Sequence, residues 1–157
     1  MSWNSSTPVT DRIFASLPYL LPLIVGVEFG MFLFKEFPFL QVFLTPLLPL
    51  RALYYSNQWM GLIIFFVLLF AVVRNDNISR FIRFNTMQAI LLNIVLSITG
   101  LVVELLGKGL PTLAVQTLFN MLFLGTIAAV VYSVVQSLLG RYAEIPTISE
   151  AVHMQVR

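Results

Sequence analysis

The chain of 157 residues carries 9 Lys or Arg and 7 Asp or Glu, so only 10% of it is charged, while 59% is hydrophobic and 14 residues are Phe. With a mean hydropathy of +0.92 there is too little polar side chain to wrap the apolar residues in water, which excludes an ordinary soluble domain. The net charge of +2 is scattered, with no basic block to neutralise a row of phosphates, so nucleic-acid binding is not expected; the absence of Cys removes disulfides and thiolate metal sites.

The fold class that remains is all-α: a polytopic membrane protein, one domain over residues 1–157, with four transmembrane helices and a short interfacial or re-entrant segment between the first and second. At about 20 residues per crossing the length allows this. Met1 to Arg12 is shorter than the extension of an imported organellar precursor. The apolar stretch after it exceeds a signal peptide and lacks an A-x-A-type site, so it reads as a retained anchor.

The first span covers about residues 13–34 and contains Pro18, Pro22 and Glu28. Its strongly apolar residues favour insertion by about 4 to 8 kcal/mol against about 3 for one central acid, so it inserts. The prolines predict kinks. Residues 37–50 are apolar, broken by Pro46 and Pro49 and ended by Arg51; the segment is too short to cross and reads as interfacial or re-entrant. The second span, about 57–74, holds an unbroken apolar run from Trp59 to Val73, with Tyr54 and Tyr55 at one interface and Arg74 at the other, and is the clearest span in the sequence. Ser79 is placed to cap the third, about 80–106. At 100° per residue Thr86, Asn93, Ser97, Gly100 and Glu104 form one stripe there, expected to face protein, while Asn85, Gln88 and Thr99 lie elsewhere on the helix. The fourth span, about 111–140, follows Gly107, Lys108 and Gly109 and begins at Pro111. Its Gly125, Ala129 and Ser133 form a small-residue ridge suited to close helix packing. The remainder, from Arg141, reads as a short, polar and mobile tail.

Four crossings place Arg12, Arg74, Arg80, Arg83, Arg141 and Arg157 on one side and Lys35, Arg51 and Lys108 on the other. Both termini are therefore expected on the cytoplasmic or equivalent side.

Glu28 and Glu104 are the acids within the spans. Glu104 sits four residues before Lys108, which favours an ordinary ion pair. Glu28 is deeper, and is either a proton or cation site or a neutral acid bonded to backbone opened by proline. Asn85, Gln88, Asn93, Gln116 and Asn120 suit hydrogen bonds between helices better than a wet path; Arg80 and Arg83 suit anchors for anionic lipid head groups. His153 stands alone in the tail and no nucleophile motif, metal-ligand spacing or phosphate loop is present, so no catalytic residue, metal or cofactor is expected and the chain does not read as an enzyme.

Gly61 to Phe66, then Val72, Val73, Arg74 and Asn75, and above all the run from Ile78 through Arg80, Arg83, Phe84, Asn85, Gln88 and Ala89 to Leu92, closely resemble the twenty-kilodalton subunit family of the TIC translocon, the protein-import machinery of the chloroplast inner envelope. Leu17 to Leu23 and Phe29-Gly30 match its opening span, and the similarity covers about residues 11–141. The resemblance implies a four-span protein with termini on the stromal side, working in preprotein translocation, with the lipid bilayer, other translocon subunits and preproteins as partners; because four helices close on a side-chain-filled core, a conduit would need other subunits or several copies, a homo-oligomer. It transfers no catalytic residue. The short start points to a plastid-encoded member, in the inner envelope, or a cyanobacterial one, in the plasma membrane. The alternative from another class is a small solute or ion transporter that uses Glu28.

Overall fold

The computed structural model describes residues 7–156, so Arg157, counted above among the basic residues, lies outside them. In chain order the helices are α1 (Val9–Glu36), α2 (Leu48–Tyr54), α3 (Met60–Val73), α4 (Arg80–Gly107), α5 (Thr112–Leu138) and α6 (Ile148–Gln155), with a 3₁₀ stretch over Pro38–Leu47 before α2. No strand occurs among the described residues. Of these helices α1, α4 and α5 are long and apolar enough to cross a membrane.

The sequence marks residues 57–74 as the clearest span, yet α3 is the shortest of the candidates. It is nine residues of α-helix followed by five of π-helix, about 21 Å at ordinary helical rise against a hydrocarbon core of about 30 Å. Local hydrogen bonds set both ends. The Trp59 N–H donates to Asn57 Oδ1 at 2.8 Å, an Asx turn that holds the chain out of the helix. At the other end the Arg74 N–H reaches back to the Leu69 carbonyl at 2.9 Å, a wide last turn.

In α1 the prolines tighten the helix without ending it. Pro18 lies in a 3₁₀ turn at Leu17–Tyr19, and a second such turn follows at Val27–Gly30. Glycines then let α1 lie close on its neighbours. A Cβ built on Gly26 would stand 2.8 Å from Thr126 Cβ, one on Gly30 would stand 2.9 Å from the Phe123 ring, and one on Gly100 would stand 2.8 Å from Phe29. On α5 the buried row is Phe123, Thr126, Val130, Ser133 and Ser137, a core-facing stripe of helical period. The ridge expected from Gly125, Ala129 and Ser133 shares only Ser133 with that row, and Gly125 faces open space. The small residues that allow close contact sit on α1 and α4 instead.

Ser79 caps α4, its Oγ accepting from the Ile82 N–H. Gly140, at φ 77°, closes α5: its N–H donates to the Ser137 carbonyl and the Arg141 N–H to the Gln136 carbonyl, a Schellman motif that needs a residue comfortable in the left-handed region. The segment after it is not the mobile tail the sequence suggests. It turns back, and Val152 and Val156 are buried against Val73, Phe84, Met87 and Ile90. Apolar side chains on one face of α6 make docking favourable.

Arg83 is a second correction. It is 9% exposed, its Nε donates to the Val73 carbonyl at 2.8 Å and its guanidinium lies 3.6 Å from Asp76. The last carbonyls of a helix lack intrahelical donors, and Arg83 serves one of them instead of reaching a lipid head group. Arg80 is exposed but lies against the docked tail, 3.1 Å from His153 Nδ1 and over the Tyr142 ring. Arg83→Met keeps the apolar stem and removes the donor. It is expected to lower hydrogen-exchange protection of residues 73–76 about tenfold, as a lost charged hydrogen bond does; unchanged exchange would disprove this role.

The start of α1, the loop 74–79 and α6 share one end of the molecule, where Thr7, Asp11, Ser79 and Tyr142 line one depression and Arg12 lies against Gly140. The segments 37–59 and 108–111 share the other end.

Candidate functional site

At the end that holds the termini, four elements meet in a buried, uncharged polar cluster. The Tyr19 hydroxyl donates to Asn85 Oδ1 at 2.7 Å and accepts from Gln88 Nε2 at 3.0 Å. Asn85 Nδ2 donates to the Phe81 carbonyl, and the Ser137 hydroxyl lies 2.9 Å from Asn85 Oδ1. Gln88 Nε2 also donates to the Ala143 carbonyl at 2.9 Å, while its Oε1 accepts from the Ser149 hydroxyl. Helical geometry makes this possible, because Asn85 and Gln88 are three apart and share a face of α4. Tyr19 (α1), Ser137 (α5) and the segment from Ala143 to Ser149 complete it. The donors and acceptors satisfy one another, so the cluster seals this end. Of the family-like motif, Phe84 and Ala89 are fully buried beside it, and Phe84 meets Tyr142 edge to face, ring centroids 4.9 Å apart.

The opposite half of the molecule is open. One cleft of about 690 Å³ runs between α1, α4 and α5 and is lined by Glu28, Phe29, Ser97, Gly100, Glu104 and Lys108. A second of about 480 Å³ lies between α3 and α4, with Asn57, Gln58, Gly61, Asn93 and Ser97 on its walls. Both include Tyr55 and Ser97. The second exists because α3 meets α4 through its last turn and stands away from it above that. Arg51 of α2 closes onto Glu28 as an ion pair, through both Nε and a terminal nitrogen. Partial burial first, then the Glu28 carboxylate, pushes the Tyr55 phenol up to about 12, so it stays a neutral donor in ordinary conditions. Asn93 Oδ1 is buried with no hydrogen-bond partner.

The stripe read from the sequence is thus divided. Thr86 is fully buried, Asn93 is half-buried, and Ser97 and Glu104 are exposed to the cleft. Glu104 and Lys108 line the same cleft without forming the ion pair their spacing suggests. Asn85 and Gln88, the smaller set by helical projection, form the closed cluster. Sequence reasoning missed Tyr19, Ser137 and Ser149, whose roles depend on distant contacts, and also Arg51 as the partner of Glu28. For Arg51 a signal existed: an acid within a span calls for an opposite charge, and Arg51 follows the next apolar segment. Among the described residues no group of three His, Asp or Glu could hold a metal ion.

Chemically, the cleft offers side-chain amides and hydroxyls together with apolar walls such as Phe29, Leu96 and Phe119. Such a surface can exchange hydrogen bonds with an amide backbone and cover apolar side chains.

The chain is 51% identical to a Tic20 family protein of Synechocystis sp., over 100% of this chain and 99% of that one. It is 35% identical to the Tic20 family protein Ycf60 of Gracilaria tenuistipitata var. liui, over 94% of this chain and 76% of the relative. With protein TIC 20-II, chloroplastic, of Arabidopsis thaliana the identity is 34%, over 96% and 74%. The family model described as chloroplast import apparatus Tic20-like matches residues 7–152, from the start of the described chain into α6, and the sealed cluster, the open cleft and the docked tail therefore belong to a member of the Tic20 family.

Proposed function

We propose that this chain is a membrane-embedded component of a protein-import translocon, and that the two adjoining clefts that meet at Ser97 of α4 receive part of a preprotein on its way across. The observation that carries the reading is a pair of adjoining clefts at one half of the molecule, sharing Tyr55 and Ser97 and offering amides, hydroxyls and apolar walls, while a closed polar cluster fills the other end. Family membership supports the cargo class, since the matching family model is described as chloroplast import apparatus. Below the cleft the core is filled by side chains, so one copy leaves no hole for an extended chain; further copies or other subunits complete the path.

In this reading the chain crosses four times. Support comes from α3, which runs from the cleft end to the end of the termini antiparallel to α4, its Val73 carbonyl held by Arg83 near the start of α4. The 3₁₀ stretch and α2 lie along the interface at the cleft end in this reading, where the exposed Phe39, Val42 and Phe43 would meet lipid. Both termini face the stroma in a plastid inner envelope, or the cytoplasm in a cyanobacterial plasma membrane, where Arg12, Arg74, Arg80 and Arg141 satisfy the excess of positive charge inside.

Single cysteines are clean probes in a chain that has none. Placed at Ser97 and at Leu124, on the outer face of α5, they are expected to differ: a precursor arrested in import in native membranes cross-links to Ser97→Cys and not to Leu124→Cys. Equal capture at both, or none at Ser97, overturns the cleft as the path. Glu28→Gln is expected to leave import within about twofold, because a half-exposed ion pair contributes little. A pH-dependent flux in liposomes that disappears in Glu28→Gln would favour the solute-transporter alternative.

A further inference from the structure

A third groove, separate from the cleft wall that carries the amides, lies between α1 and α3. It measures about 560 Å³ and runs from Phe14, Leu17 and Ile82 at the end of the termini, past Leu21, Ile24 and Leu68, to Leu53 and Tyr54 at the other. No charged side chain lines it; its polar residues are Tyr54 and Thr86, and the Thr86 hydroxyl is buried in the wall. We propose that this groove is a binding site for one acyl chain of a glycerolipid, whose ester carbonyl is taken by the Thr86 hydroxyl.

Three observations carry the assignment. The first is size. A helix crossing about 30 Å of hydrocarbon with a diameter of about 10 Å displaces about 2,400 Å³, several times the groove, whereas a single linear hydrocarbon chain fits a slot that is long, narrow and open to the side. The second is Thr86 itself. Thr99, Thr117, Thr126 and Ser137 each return the hydroxyl to the carbonyl four residues earlier, the ordinary solution for such residues in a helix. Thr86 Oγ1 is buried and has no partner, which costs free energy unless an acceptor arrives. The third is depth. The 28 residues of α4 extend about 42 Å and overhang a core of about 30 Å by about 6 Å at each end. Thr86 is six residues into the helix, about 9 Å, and so lies just inside the hydrocarbon boundary, where the ester groups of the leaflet begin. The lack of charge in the lining means that hydrocarbon and ester, not the head group, are recognised. The site does not depend on the translocon reading and fails or stands apart from it.

The test is native mass spectrometry of the full chain taken from vesicles of dioleoyl phosphatidylcholine into mild detergent. The wild type is expected to keep one lipid per chain. Leu68→Trp, which fills the groove, is expected to lower the retained fraction at least about tenfold, and Thr86→Val, nearly the same shape without the hydroxyl, about five- to tenfold, the scale of one lost hydrogen bond. Thr86→Ser is expected to restore retention. Should Leu68→Trp fail to stay monodisperse, the comparison of Thr86→Val with Thr86→Ser decides alone. Equal retention by wild type and Thr86→Val overturns the proposal. So does a photo-reactive label on Ile64→Cys that captures polypeptide and no lipid in native membranes.

Discussion

Gln88→Leu is expected to lower the stability of the chain by about 3 kcal/mol and to release its C-terminal segment. Gln88 Nε2 donates to the Tyr19 hydroxyl and the Ala143 carbonyl, and Oε1 accepts from Ser149. Leu fits the space with similar volume, so the loss is one of hydrogen bonds and not of packing. Three buried groups would lose a partner. In water-soluble cores each such orphan costs about 1 to 3 kcal/mol; between membrane helices measured values average about 0.6, with a maximum of about 1.7. This cluster lies at the end of the bundle, where displaced groups can reach water, so about 1 per group is the reasonable scale. The consequence is local as well as global, because Ala143 and Ser149 belong to the docked tail. Limited proteolysis is expected to cut within residues 141–147 in Gln88→Leu under conditions that spare the wild type, together with a lower thermal midpoint in detergent. Asn93→Leu is the control: its Oδ1 already has no hydrogen-bond partner, so no comparable loss is expected. A Gln88→Leu chain as resistant as the wild type would remove the cluster from the account of the fold.

Much of the helical plan is legible in the sequence for a physical reason. Hydrocarbon leaves backbone polar groups no solvent, so long apolar runs declare α1, α4 and α5 by composition, and Ser79 and Gly140 mark ends by their own chemistry. What depends on distant contacts is not legible. Helical projection ranks Thr86, Asn93, Ser97 and Glu104 together, but it does not know that the neighbouring helices stand off this part of α4 and leave Ser97 and Glu104 in a cleft. The same blindness hides Tyr19 and Ser149 as partners of Gln88, which lie 69 and 61 residues away in sequence. The tail is misread because its polar composition outweighs two positions, Val152 and Val156, that bury completely. For α3, hydropathy reports an apolar run but not where hydrogen bonds at Asn57 and Arg74 cut the helix.

Gly26→Leu is expected to cost about 3 kcal/mol, at the upper end of ordinary overpacking, whereas Gly125→Leu on the neighbouring helix is expected to be tolerated. The contrast comes from position alone, since both are glycines within apolar helices. At Gly26 a Cβ overlaps the Thr126 side chain, including its Cβ at 2.8 Å, a β-branched group held against its own backbone by the bond from Thr126 Oγ1 to the Leu122 carbonyl. Such a side chain has few rotamers to retreat into, so α1 and α5 must separate. That separation would also disturb Gly30 against Phe123, four residues on along α1. At Gly125 a Cβ meets nothing within 4 Å, and replacing a helical glycine gains helix propensity. Thermal unfolding of both variants in detergent checks the difference. The sharper measurement is a cycle with Gly26→Ala and Thr126→Ala. Each single change is expected to destabilise, the first by overlap and the second by a cavity, while the pair recovers at least about 1 kcal/mol, the coupling of side chains in direct contact. Purely additive effects would mean that α1 and α5 do not cross at Gly26. The cleft above that crossing, bounded by Val25, Glu28 and Phe119, would then lose the geometry that makes it a path.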